Sequence, residues 1–112
     1  EVSLSDATRV SRYRDDRVDN FEIRPEDFGL WRQNIEQIRG GSKEENAGIT
    51  LSVLRGEQGP KRDIVLMNAA LAFIVAGMAE DFKTAFSVAA DSIDSGRAYK
   101  KLEEVKRVSN AI

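Results

Sequence analysis

Between Thr8 and Ile23 the β-branched and aromatic residues Thr8, Val10, Tyr13, Val18, Phe21 and Ile23 are spread through a polar background, and the run Arg14-Asp15-Asp16-Arg17 divides them. That pattern predicts a β-hairpin over 8–23. The dividing run contains neither Asn-Gly nor Asp-Gly, so a connection longer or less regular than a two-residue turn is expected. Beyond it, Pro25 followed by Glu26 and Asp27 can open a helical turn, which Gly29 can end in a left-handed conformation. A second short helical stretch is expected around Ile35 to Ile38, before Gly40-Gly41 breaks the chain.

From there the apolar spacing becomes helical, and residues 42–112 read as a series of α-helices. Ser42 with Glu45 three residues later fits a capping box, Ala47, Leu51 and Leu54 continue the period, and Gly56 closes the helix. Pro60 opens the most apolar element, in which only Asn68 and Gly77 interrupt the run from Ile64 to Ala79. A membrane span needs about 20 apolar residues, so this shorter run predicts a buried core helix. Asp81 begins an amphipathic helix with Phe82, Ala85, Phe86, Ala89 and Ile93 on one face, ending at Gly96. In the last helix Ala98, Leu102 and Val105 form a stripe opposite Lys100, Lys101, Glu103, Glu104, Lys106 and Arg107.

The chain has 112 residues, enough for one domain or part of one with a single modest core. Its hydrophobic fraction of 41% and charged fraction of 32% are those of a globular chain, not a disordered tail. Seventeen basic residues face 19 acidic ones, leaving no global field to gather nucleic acid or anionic lipid. Within the hairpin, Arg9, Arg12, Arg14, Arg17 and Arg24 are balanced by Asp15, Asp16, Asp19 and Glu22, as on a solvated strand face. The start at Glu1, without a basic and apolar leader, gives no sign of secretion and suggests a piece of a longer protein.

Cysteine and histidine are absent, which excludes disulfides, thiol nucleophiles, imidazole bases and the usual zinc, iron–sulfur and haem ligand sets. A metal, if held, must be hard and oxygen-bound. No Walker loop is present, and Gly40-Gly41 before Ser42 is better explained by helix capping than by anion binding. Asn68 within its apolar helix needs hydrogen-bond partners. A ligand contact is one reading; a buried amide tying a neighbouring loop to the core helix is the favoured one. Arg62-Asp63 is read as structural, and Trp31 as the cover of a core edge. No pair of carboxylates stands out by spacing or setting as a catalytic pair.

Taken together, the segments TRVSRY, PEDFGL, RGGSKEENA, VLRGEQGPKRDIVLMNAALAFIVAG and DSGRAYKKLEEV occur in the order they have in anthranilate phosphoribosyltransferase. The whole chain resembles the C-terminal part of that enzyme. The pattern GG-x3-EN-A at Gly40 to Ala47 and G-x2-RD-x-VL-x-NAA at Gly59 to Ala70 carries most of the specificity. The resemblance implies an α/β parent domain with a largely parallel sheet, of the phosphoribosyltransferase/nucleoside-phosphorylase-like kind, to which residues 1–112 contribute a β-hairpin (8–23) followed by several α-helices (42–112). It implies transfer of phosphoribose from phosphoribosyl pyrophosphate to anthranilate, with release of pyrophosphate, in tryptophan biosynthesis. It further implies Mg²⁺, a cytoplasmic location and a full-length homodimer, with the remainder of the parent chain as a partner.

The family's glycine-rich pyrophosphate loop, second basic loop and anthranilate-contacting Asn and Arg lie upstream of the matched region, so no catalytic or substrate-binding residue is assigned here. The family also has an Asp-Glu pair that binds Mg²⁺, followed by Ile/Val-Ser and a Thr-Arg/Lys-Val strand. Glu1-Val2-Ser3 matches its second half, which makes Glu1 the one candidate metal ligand. Lack of His and Cys is no objection, because pyrophosphate leaving the anomeric carbon can be stabilised by Mg²⁺ and backbone donors. Arg24 before Pro25 and the turn Ser5-Asp6-Ala7 depart from the family pattern. The alternative is a noncatalytic relative or a stand-alone helical interaction module that keeps these packing motifs without the substrate loops.

Overall fold

Strands β1 (Thr8–Arg14) and β2 (Arg17–Ile23) form the predicted hairpin, paired antiparallel from Thr8 opposite Ile23 to Arg14 opposite Arg17. The structure is a computed structural model and describes residues 1–112. Contrary to the expected longer loop, Asp15 and Asp16 alone make the turn, with φ of 54° and 57°. Two successive left-handed residues match the strand twist, and Asp is among the few L-residues that enter this region readily. The Tyr13 hydroxyl also donates to Asp16 Oδ1 at 2.7 Å, closing the end of the ladder.

One short 3-10 turn spans Pro25–Phe28 and ends at Gly29, φ 82°. In place of a capping side chain at Arg24, the Arg24 N–H donates to Asp27 Oδ2 at 2.7 Å. Phe28 is buried against Phe82 and Phe86, with ring centroids 5.1 and 6.4 Å away, so the turn anchors the hairpin to the helices. A second 3-10 turn covers Ile35–Ile38.

Four helices follow: α1 (Lys43–Leu54), α2 (Pro60–Val75), α3 (Phe82–Asp94) and α4 (Arg97–Asn110). Ser42 caps α1 and Asp81 caps α3, where Oδ1 accepts the Thr84 N–H at 2.8 Å. Helix α2 builds both cores. Met67 and Ala70 join Val2, Leu4, Ile23, Phe28, Ala79 and Ala85 in the larger one. Leu66 joins Val53, Ala89 and Ile93 in the smaller.

The burial pattern corrects the sequence reading in two places. Val53 is buried and Ile49 packs one turn before it, while Ala47 is exposed, so α1 is rotated from the expected Ala47-Leu51-Leu54 stripe. Helix α2 stops at Val75 because Gly77 (φ 73°) reverses the chain, and Val75 stays 88% exposed, so α2 is buried on one side only. No helix is long and apolar enough to cross a membrane.

Candidate functional site

The two sequence patterns that distinguish this chain turn out to be scaffolding. At GG-x3-EN-A, Ser42 Oγ accepts the Glu45 N–H at 3.2 Å and Glu45 Oε2 accepts the Ser42 N–H at 2.6 Å. The Ser42 backbone N–H, and after it the Ser42 side chain, hold the Glu45 carboxyl below its ordinary pKa. Asn46 reaches back to Gly41 with both ends of its amide, accepting from its N–H at 2.9 Å and donating to its carbonyl at 3.2 Å. A Cβ on Gly40 would lie 2.5 Å from Asn46 Oδ1, and one on Gly41 would collide with the Glu45 carboxylate. Side chains at either glycine would displace the groups that cap the helix, and the Gly41 and Ser42 amides are taken up by Asn46 and Glu45, as the capping reading expected, and are not aimed at an anion.

Several positions of the pattern G-x2-RD-x-VL-x-NAA have structural roles of the same kind. Gly59 has φ 135°, a conformation closed to L side chains, and lets Pro60 start α2. Arg62, almost wholly buried, bonds both oxygens of Asp94 on α3, at 2.8 and 2.9 Å. Partial burial pushes the neighbouring Asp63 carboxyl above its ordinary value, and the positive charge of Arg62 opposes the shift. Ala70 is fully buried in the larger core. The structural reading of Arg62 holds.

Asn68 is the exception, because its partner is the segment that carries the candidate metal ligand. Its Oδ1 accepts the Val2 N–H at 2.8 Å, and its Nδ2 donates to the carbonyls of Val2 at 3.2 Å and Ile64 at 2.9 Å. Val2 and Leu4 are buried in the larger core, the Ser3 N–H donates to Thr8 Oγ1 at 2.9 Å, and the Leu4 carbonyl accepts the Gln33 N–H at 3.0 Å. Ser3 Oγ accepts the N–H groups of Ser5 and Asp6 and so shapes the Ser5-Asp6-Ala7 turn. Glu1 therefore extends from a fixed backbone, its side chain exposed and engaged in no ion pair. The sequence marked Asn68 as a tie to a loop; it carried no signal that the loop was this one, 66 residues away.

Trp31 does not cover a core edge within this chain, since it is 82% exposed. It joins Val75 and Met78 among large apolar side chains left open to solvent. An open cleft of about 470 Å³ between α1 and the start of α2 is lined by Glu45, Ser52, Gln58, Lys61 and neighbours, and an apolar groove runs between the hairpin and Ile74, Val75 and Phe82. Glu1 lines neither.

Residues 1–99 match the family described as "Glycosyl transferase family, a/b domain". The chain belongs to this family. Within it, the chain is 47% identical to the anthranilate phosphoribosyltransferase of Methanobrevibacter smithii over 99% of its own length, and 47% identical to that of Symbiobacterium thermophilum over 100%. It spans 33% of each of these relatives, about a third of their length. Among solved structures, the Saccharomyces cerevisiae anthranilate phosphoribosyltransferase in complex with 4-fluoroanthranilate superposes over the whole chain with a TM-score of 0.89 at 27% identity, and 33% of that chain is covered. The same yeast enzyme in complex with PRPP and Mg superposes over 92% of this chain, and 30% of its own, with a TM-score of 0.80 at 30% identity. The hairpin and helices are thus a piece of the anthranilate phosphoribosyltransferase fold.

Proposed function

We propose that this chain is the C-terminal portion of an anthranilate phosphoribosyltransferase, with residues 1–112 contributing the hairpin (8–23) and helical part (42–112) of its α/β domain. The full-length parent transfers phosphoribose from phosphoribosyl pyrophosphate to the amine of anthranilate and releases pyrophosphate, a step of tryptophan biosynthesis. The observation that carries this reading is the 47% identity sustained over essentially the whole chain to relatives bearing that name. Exposed Trp31, Val75 and Met78 support the remainder of the parent chain as a partner, because apolar surface of this kind is stabilised when another part of the protein covers it. The parent is read as a cytoplasmic homodimer.

Mg²⁺ is the implied cofactor, and the donor present here suits it. Glu1 offers a hard carboxylate, exposed and unpaired, next to a peptide group held by Asn68. Mg²⁺ is commonly bound by one or two carboxylates together with substrate phosphates and waters, and since no cluster of three acidic side chains that could hold a metal stands in this chain, the other ligands would come from the rest of the parent and from the substrate. When bound, the ion would neutralise charge developing on the departing pyrophosphate. Ser3 Oγ is occupied by two backbone amides and is a turn former, not a ligand. This chain's part in the reaction is to present the Glu1 carboxylate from a backbone anchored by the buried side chains of Val2 and Leu4.

Anthranilate fluorescence, followed with phosphoribosyl pyrophosphate and Mg²⁺, tests the proposal on the full-length parent and on the 112-residue chain. The parent should consume anthranilate and release equimolar pyrophosphate; the isolated chain should do neither. A parent without this activity, or sustained turnover by the isolated chain, would overturn the reading.

A further inference from the structure

We infer that Asn68 is a positioning residue for the metal carboxylate, acting on Glu1 through the backbone of Val2. The inference rests on the reading of Glu1 as a Mg²⁺ ligand and extends it to a residue on another element. Asn68 Oδ1 accepts the Val2 N–H at 2.8 Å and its Nδ2 donates to the Val2 carbonyl at 3.2 Å, so one amide grips both polar groups of a single residue. The Val2 N–H belongs to the peptide plane that also contains the Glu1 carbonyl and ends on the Glu1 Cα. Fixing that plane leaves only the rotations about the Glu1 Cα and its side chain to aim the carboxylate.

Within α2 Asn68 bonds only the Ile64 carbonyl, through Nδ2 at 2.9 Å. What Asn68 adds beyond this is directed across the fold to Val2. The orientation is also rigid at its source. Asn68 stands between Met67 and Ala70, both fully buried in the larger core, which anchors this part of α2. Val2 is itself buried at 3% exposure, which holds the gripped residue from the other side. Outer partners that orient a metal-ligating side chain typically change metal affinity 10- to 100-fold when removed, and that magnitude is what this grip should contribute.

The test uses the full-length parent carrying Asn68→Ala, Asn68→Asp, Glu1→Gln, or Asn68→Ala with Glu1→Gln. Mn²⁺ serves as the probe: its binding in the presence of phosphoribosyl pyrophosphate is followed by electron paramagnetic resonance, alongside thermal unfolding and the Mg²⁺ dependence of the initial rate. Asn68→Ala should weaken Mn²⁺ binding about tenfold, with the rate recovering at high Mg²⁺ and the KM for anthranilate unchanged. Asn68→Asp keeps an acceptor for the Val2 N–H and should lose less, and it stands in if the alanine variant does not fold. In the Glu1→Gln background the alanine change should cost no further affinity, because the residue through which it acts is already disabled. Weakened Mn²⁺ binding in Glu1→Gln with unaltered binding in both folded Asn68 variants would overturn the positioning role alone. Unaltered binding in Glu1→Gln would instead overturn the assignment of Glu1 and this inference with it.

Discussion

Arg62 and Asp94 join the start of α2 to the end of α3 through two parallel bonds, Nη1 to Oδ1 at 2.8 Å and Nη2 to Oδ2 at 2.9 Å. The pair is lopsided: the guanidinium side chain is 6% exposed and the carboxylate 53%. Arginine cannot lose its charge in a protein, so Asp94 is what spares α2 an unpaired buried cation. The hydrogen bonds from Arg62 hold the Asp94 carboxyl below its ordinary pKa, against an opposing effect of burial.

A carboxyl with a depressed folded-state pKa binds its proton more weakly when folded than when unfolded. Its stabilising contribution is therefore complete above the unfolded-state pKa and declines as pH falls from there through the folded value. The chain should lose stability on acidification below about pH 4, and Asp94→Asn should flatten that part of the profile while lowering the unfolding temperature at neutral pH. Thermal unfolding from pH 2 to 7 decides it; parallel acid profiles for the two proteins would remove Asp94 as a contributor.

At the hairpin turn, Asp16→Gly relieves a left-handed L-residue but removes the Tyr13 hydrogen bond. The backbone relief is worth about 1 kcal/mol and is opposed by the loss of that hydrogen bond and by the greater unfolded-state freedom of glycine, so the stability should change little. That bond to Asp16 also raises the Tyr13 hydroxyl pKa above its ordinary value. Ultraviolet titration should show one tyrosine ionising at lower pH in the variant. An unmoved tyrosine titration would contradict the contact.

Ser42→Ala removes the hydroxyl that accepts the Glu45 N–H. Loss of an N-cap of this kind costs about 1 kcal/mol. Urea unfolding of the full-length parent should show that loss, with no change in Mg²⁺ or substrate affinity, since the capped glycine loop binds no ligand in this reading. A large affinity change at constant stability would place Ser42 in a site.

Glu1→Gln in the full-length parent keeps the shape of the side chain and removes its charge. Turnover should fall at limiting Mg²⁺ and recover in part at high Mg²⁺, with an unfolding temperature close to that of the unchanged protein, because the exposed Glu1 side chain contributes nothing to either core. Initial rates over a Mg²⁺ titration provide the measurement. A metal dependence identical to that of the parent would sink the assignment.

The sequence by itself determined where most elements begin, though not where α2 ends, since the apolar run continues to Ala79 and the helix stops at Val75. Ser42 with Glu45, Pro60, Asp81, Gly29 and Gly96 act over five residues or fewer, through caps and left-handed glycines whose partners lie in the same turn. Its motifs also pointed to the family, through the capping residues of GG-x3-EN-A and the buried positions of the NAA helix. Even at short range one expectation failed: Asp15-Asp16 makes the two-residue turn that Asn-Gly would have announced, because Asp can also enter the left-handed region. Everything that depends on which faces meet was left to the tertiary structure. Periodicity marks an apolar stripe but not its neighbour, so α1 turned Val53 inward and left Ala47 outside, and Trp31 faced solvent. The choice of Val2 as the partner of Asn68, and of Asp94 for Arg62, required bringing together groups 66 and 32 residues apart. Such pairs form only when the packing of α2 against the first segment and α3 excludes water and leaves each polar group one place to bond.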